Sequence, residues 1–374
     1  MYQGQSKFSG NLHALRGLAA VSVIFFHAWG MNAANISSLG WMSFIMQFGA
    51  GVTLFFILSG FSLSLSNYGH IDKASWLRAY SIKRIARIIP VWYVFIAITW
   101  LNHYFHLNYA MPSNNVLFSL IPFYSIVPGR EAGMVWAGWT IGVELMFYMI
   151  FPIMIVLFRD NLKLWGAALL GLIAISLKLR GYAGPDATPQ FLQYSFPRQA
   201  FVFVMGCTFY FAVQRAMKEN KERLLAFAML TLSLIGFALW IGEVKGWVDY
   251  HNDLRLVVKA FALSGLTAFA FLNPKMGALT PLNLYNPLTK FFGDKSYTIY
   301  LAHPIIISWT KPWLAPIYDA VPDAGVAILI YALIVLIITC TAAAVISTFI
   351  EAPFYKRGRA LASKEMAGEK TTAK

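Results

Sequence analysis

Apolar runs of about twenty residues recur along this chain, and they leave little choice of fold. A helical run of that length crosses the ~30 Å hydrocarbon core of a bilayer. Ten are read, at roughly 12–30, 43–66, 86–106, 138–158, 162–179, 194–214, 224–242, 254–272, 296–314 and 325–350. They hold Gly, Pro, Trp and Ser where helices tolerate them, and they lack the alternation of barrel strands. The expected fold class is therefore an all-α polytopic membrane protein. Composition points the same way. The chain is 58% hydrophobic and 12% charged, about half the charged share of a soluble domain, and its mean hydropathy is +0.59. A soluble enzyme with a single anchor is excluded.

The net charge of +14 would suggest a nucleic-acid partner in a soluble chain. In a membrane protein it reflects the excess of Lys and Arg on cytoplasmic segments, and no nucleic acid is expected. With the N-terminus inside, 21 of the 30 Lys and Arg fall on inner segments and 8 on outer ones, with Arg16 inside a span. Ten spans then place both termini in the cytoplasm, in the plasma (inner) membrane. No arrangement of a cleavable signal is seen, so the first run is expected to remain as a span. Residues 107–137 are moderately apolar and broken by Pro112, Pro122 and Pro128, and they read as a re-entrant or surface element outside. A membrane domain is expected over 1–358 and a disordered cytoplasmic tail over 359–374. Cys207 and Cys340 sit in apolar runs as small core residues. His103, His106 and His251 have no metal spacing, so no metal is expected.

Several spans carry groups that are costly in hydrocarbon, which makes them functional candidates by default. In LHALRGLAAVSVIFFHAWG, Arg16 and His27 stand eleven positions apart. At ~100° and ~1.5 Å per residue they share a helix face, roughly 16 Å apart. Snorkelling of Arg16 to the headgroups and a structural role for His27 are the alternatives. In SIKRIARIIPVWY, Arg84 and Arg87 share a face at the inner surface. Guanidinium groups grip phosphates there, or they simply mark topology. In WAGWTIGVELMFYMIFPI, Thr140, Glu144 and Tyr148 form a polar stripe. Glu144 needs a partner or a proton, with Arg16, Arg84, Arg87 and His27 as candidates. In GDKSYTIYLAHPIII, Ser296, Tyr300 and His303 share a face, and Pro304 introduces a kink. Glu351, near the end of the last span, anchors the inner rim or pairs with an arginine.

Taken together these segments resemble the membrane acyltransferase family 3. LHALRGLAAVSVIFFH resembles its first-helix pattern, with an arginine and a histidine separated by ten residues. GVTLFFILSGF resembles its second-helix pattern, with Thr53 where an acid is usual. KRIARIIPVWY, WTIGVELMFYMIFP and SYTIYLAHP resemble its later motifs, in order, from residue 12 to about 353. The resemblance implies a ten-helix, stand-alone enzyme with no extracytoplasmic hydrolase domain. It implies transfer of an acyl group, commonly acetyl, from cytoplasmic acyl-CoA to a hydroxyl of a cell-surface polysaccharide or its lipid-linked precursor. His27 would act as base or as covalent carrier, with Arg16 and Glu144 beside it as catalytic residues. Arg84 and Arg87 would hold the anionic end of acyl-CoA, and its arm would run past Arg16 towards His27. Tyr148, Tyr300 and His303 would contact substrate. Two other classes compete: a proton-coupled transporter relaying through His27, Glu144 and His303, and a membrane scaffold in which His27 is silent. The absence of a nucleotide-binding loop argues against a nucleotide-driven pump.

Overall fold

Each apolar run becomes a helix, because in hydrocarbon the backbone has no other partner for its N–H and C=O groups. The computed structural model of the chain describes residues 5–30, 42–105, 113–184, 187–249, 252–273, 283–321 and 323–372. His106 and His251 lie outside them. Among the described residues there is no strand. The long helices are α1 (Gln5–Gly30), α2 (Gly51–Asn67), α3 (Trp76–Phe105), α4 (Trp139–Phe158), α5 (Leu162–Ala183), α6 (Phe196–Lys218), α7 (Glu222–Val244), α8 (Asn252–Leu272), α9 (Pro287–Thr310), α10 (Ala324–Ile346) and α11 (Ala352–Thr372).

Among the described residues nine segments are long and apolar enough to cross a membrane. The tenth expected span, α9, is not among those nine. Its 24 residues reach about 36 Å, but they include Lys290, Asp294, Lys295 and His303. Burial explains how such a helix is tolerated. α9 buries a continuous run from Thr298 to Ile307, whereas α7 exposes Leu234, Ile235 and Ile241. A helix wrapped by neighbours can be less apolar than one facing lipid.

Two elements extend beyond the expected bounds. α3 starts at Trp76, ten residues before the expected span, and carries Arg84 and Arg87 on one helix, as their spacing implies. The segment from 359 is helical through Thr372, where a disordered tail was expected. The reason is docking: Gly358 packs on Ala86, Glu365 pairs with Arg78 at 3.2 Å, and the Ser75 hydroxyl faces the Met366 sulfur at 3.5 Å. Within 107–137, the described part is an eight-residue helix, Ser113–Leu120, and a 3-10 turn, Pro122–Ile126. Eight residues rise only about 12 Å, too short to span. The Trp92 indole donates to the Ser119 carbonyl at 2.9 Å, and the Tyr124 hydroxyl donates to the Gly138 carbonyl at 2.5 Å.

The chain divides into two compact units: 1–61 with 202–342, and 62–201 with 343–374. The first holds α1, α7, α8, α9 and most of α2, α6 and α10. Here α2 and α6 come into backbone contact at Gly60 and Gly206, where a Cβ would collide with the carbonyls of Phe203 and Ile57. Such small-residue seams replace the hydrophobic drive that is missing between helices in lipid. The second unit holds α3, α4, α5 and α11. In it the Tyr80 hydroxyl donates to the Tyr148 carbonyl at 2.9 Å, joining α3 to α4. The Arg198 guanidinium donates to the Ser176 carbonyl at 2.9 Å.

Candidate active site

The first polar group is built on α1 and α9. The two helices approach closely at glycines: a Cβ on Gly17 would lie 2.7 Å from the Gly293 nitrogen, and one on Gly293 would lie 2.5 Å from the His13 carbonyl oxygen. α9 begins where it does because Asn286 caps it. The Asn286 side chain accepts from the Leu288 and Thr289 nitrogens, the Asn286 N–H donates to the Thr289 hydroxyl, and Pro287 fills the first turn. Beside this crossing, His13 Nε2 meets Asp294 Oδ1 at 2.9 Å, and Lys290 donates to Asp294 Oδ2 at 2.7 Å.

Further along the same helices, His27 Nδ1 and His303 Nε2 are 2.8 Å apart. Their rings stack at 5.0 Å with an interplanar angle of 11°. The two imidazoles differ in access. His303 is 0% exposed, while His27 is only half-buried. Tyr300, also buried, sets its ring 5.4 Å from His303, and Phe55 of α2 packs edge-on against Tyr300 at 5.7 Å. The Phe26 ring lies 4.8 Å from that of His27, tilted by 56°. Arg16 is half-buried on α1, immediately before Gly17 of the glycine crossing. One partly exposed imidazole backed by a fully buried one is an arrangement that can position a proton acceptor.

The second polar group belongs to the other unit. On α3, Tyr80, Lys83, Arg84 and Arg87 follow the i, i+3, i+4, i+7 stripe. The Arg84 guanidinium lies over the rings of Tyr80 at 5.9 Å and Tyr148 at 5.6 Å, and Arg87 lies 5.8 Å from the Tyr355 ring centre. The Tyr148 hydroxyl donates to a Glu144 carboxylate oxygen. Arg87 sits in the field of Tyr148, Tyr355, Glu351 and Glu144, and Lys83 in that of Arg84, Arg359 and Tyr355. Glu351 is buried at the end of a π-helical turn, Ser347–Glu351, a distortion that recurs at functional sites. The Arg359 guanidinium also lies 5.8 Å from the Tyr355 ring centre.

The structure thus brings His27, Tyr300 and His303 together, and separately Arg84, Arg87, Glu144 and Tyr148. The pairing of the two histidines was not anticipated. Lys83, Tyr80, Tyr355 and Arg359 were also missed, although Tyr80/Arg84 and Tyr355/Arg359 stand at i, i+4 and carried the signal.

Fold and clusters together define a multi-pass helical membrane protein with ionisable groups set inside its helices. The chain belongs to the family of the acyltransferase domain, whose profile matches residues 9–348. It is 25% identical over 342 residues to the peptidoglycan O-acetyltransferase OatA of Listeria monocytogenes, covering 82% of this chain and 51% of the relative. It is also 25% identical to nodulation protein 10 of Rhizobium leguminosarum bv. viciae, over 87% of this chain and 91% of that protein. With the O-acetyltransferase OatA of Staphylococcus aureus it shares 22% identity over 94% of this chain and 58% of the relative. The chain therefore spans little more than half the length of the two O-acetyltransferases and nearly all of the nodulation protein. No solved structure matches it at a significant level.

Proposed function

We propose that this protein is an inner-membrane O-acyltransferase that moves an acyl group, acetyl in the simplest case, from cytoplasmic acyl-CoA to a hydroxyl of a cell-surface polysaccharide or its lipid-linked precursor. The observation that carries the reading is the partly exposed His27 imidazole held 2.8 Å from the buried His303. The names of the relatives support acetyl as the group transferred and a cell-wall glycan as one class of acceptor. In the reaction, His27 takes the proton of the acceptor hydroxyl as its oxygen attacks the thioester carbonyl carbon. The new C–O ester bond forms, the C–S bond breaks, and the proton passes to the departing CoA sulfur.

The α3–α4–α11 cluster suits the donor's anionic end. It gathers four cations, Lys83, Arg84, Arg87 and Arg359, around two carboxylates, Glu144 and Glu351. A cluster with surplus positive charge and a planar fork such as Arg84 favours phosphate groups. Glu144 then acts through Tyr148 and Arg87, and Arg16 supplies a fixed positive charge on the His27 helix.

The test uses inside-out membrane vesicles from cells with and without the chain, supplied with acetyl-CoA labelled in the acetyl group. Label should enter polysaccharide only when the chain is present, and His27→Ala should cut the rate by roughly 10²–10⁴-fold. Transfer by His27→Ala at a rate near wild type would overturn the reading.

A further inference from the structure

α7 and α8 pack along a seam of small residues. A Cβ on Gly236 would lie 2.8 Å from that of Ala262, and one on Gly265 would lie 2.7 Å from the Met229 carbonyl oxygen. One turn nearer the segment that joins the two helices, the same faces carry Trp240, four residues after Gly236, and Lys259, three residues before Ala262. There the Lys259 ammonium stands 4.9 Å from the Trp240 ring centre. The indole is itself held: its N–H donates to Gln47 Oε1 at 2.7 Å, and the Gln47 amide donates to the Ser43 carbonyl at 3.0 Å. One turn nearer the start of α8, Arg255 pairs with Glu243 at 2.7 Å. One carboxylate thus serves two cations, and its close contact goes to Arg255. Among the described residues, the Lys259 ammonium has an aromatic face, the fields of Glu243 and Arg255, and no hydrogen-bond acceptor. It lies seven residues into an apolar helix, about 10 Å from the start. A cation held there with its donors unspent is matched to an anion that the chain does not supply.

This group is tied to the helix of His27. Gln47 and Gly49 belong to the 3-10 turn Met46–Ala50 that leads into α2. A Cβ on Gly49 would lie 3.2 Å from the ring of Phe26, the neighbour of His27, and the Ser22 hydroxyl of α1 lies 3.2 Å from the Phe48 carbonyl. With the termini inside, as the bias of Lys and Arg predicts, the segment that joins α7 to α8 faces away from the cytoplasm. Leu239 and Ile241 of α7 and Leu254 of α8 are exposed beside it. A ligand at this place meets cations and apolar side chains together. We propose that Lys259, Trp240 and Arg255 form a site for the phosphate of a lipid-anchored anion, and that this anion is the lipid-linked acceptor. The phosphate oxygens take the hydrogen bonds that Lys259 does not make within the chain, Arg255 adds a second charge, and the lipid tail lies along Leu239, Ile241 and Leu254. A phosphomonoester carries about −1.5 to −2 charges at pH 7, so it is preferred over the singly charged diester of a phospholipid. The acceptor role rests on the acyltransferase reading above, whereas the phosphate site does not.

The experiment reads binding first and activity second. The full chain is placed in phosphatidylcholine nanodiscs, and bound farnesyl phosphate is counted by native mass spectrometry, with farnesol as the neutral control. The wild type should retain farnesyl phosphate but not farnesol, and an excess of phosphatidylglycerol should not displace it. Lys259→Gln should weaken retention about tenfold or more, the effect of one lost charge-assisted hydrogen bond. Lys259→Met, neutral and at ease in hydrocarbon, should do the same, so the comparison survives if one of the two variants fails to insert. Lys259→Arg keeps a cation that grips phosphate and should stay within about threefold of wild type. In the vesicle assay, Lys259→Gln and Lys259→Met should lower transfer about tenfold, with KM for acetyl-CoA unchanged. Retention of farnesyl phosphate by either neutral variant as firmly as by wild type would overturn the site. Displacement by phosphatidylglycerol would overturn its assignment to the acceptor and make it a place for bilayer headgroups. If His27→Ala still transfers acetyl, the acyltransferase reading fails and the acceptor role fails with it. The phosphate site then still stands or falls on the comparison at Lys259.

Discussion

At the scale of single residues, the two arginines of α3 do different work, although they stand only three positions apart. Arg87 faces both Glu144 and Glu351, so its removal takes away the one cation of the cluster set in the field of both carboxylates. Removing one member of such an assembly is costly even when the assembly adds little net stability. Arg84 is held by two aromatic faces instead, an arrangement worth about 0.5–2 kcal/mol. We therefore expect Arg87→Ala to lower the thermal midpoint of the purified protein clearly. Arg84→Ala should leave it within a few degrees and weaken acetyl-CoA binding about tenfold or more. Thermal unfolding alongside titration with a non-transferable CoA analogue checks both, and equal destabilisation by the two substitutions would refute the division of labour. The individual candidates could be read from the sequence because an ionisable group in an apolar run stands out. Their partners could not. Glu144 had four possible counter-charges on paper, and only the packing of α3, α4 and α11 selects among them.

At the scale of elements, α11 and the α1–α9 crossing carry the most consequence. α11 looked like a solvated tail because its residues from 359 onward are small and polar. Its partner is the first half of α3, nearly three hundred residues earlier, and composition does not reveal a dock of that kind. Truncation after Gly358 should therefore destabilise the protein and loosen the α3 cation cluster. The expected signs are a lower thermal midpoint and weaker acetyl-CoA binding, whereas an unstructured tail would be dispensable. The α1–α9 crossing depends on two hydrogens in place of side chains. Gly17→Leu should push the helices apart, because its Cβ would lie 2.7 Å from the Gly293 nitrogen. Since both histidines sit on these helices, lost transfer should accompany lost stability. An increase in temperature sensitivity with wild-type transfer at low temperature would show that the histidine pair tolerates the displacement.

At the scale of the whole molecule, the all-helical class and the order of the spans were legible because the bilayer imposes one hydrogen-bonding solution on every span. α9 was legible only through its isoleucines, since its Lys, Asp and His residues dilute the apolar signal. The division into two units was not legible at all, because the boundaries fall inside α2, α6 and α10 rather than in linkers. Orientation is expected from the bias of Lys and Arg. A reporter that works only outside the cytoplasm, fused after Lys374, should stay silent, and a positive signal would invert the arrangement. The distance along the chain between His27 and His303 has a consequence in time. The two are 276 residues apart, which at about 5–20 residues per second is roughly 14–55 s of synthesis. Throughout that interval α1 is made without its partner on α9. A nascent chain, or a product cut short before α9, carries His27 without the imidazole that faces it at 2.8 Å in the complete chain. Under the proposed function such fragments should transfer nothing, and activity should appear only once the chain is nearly finished.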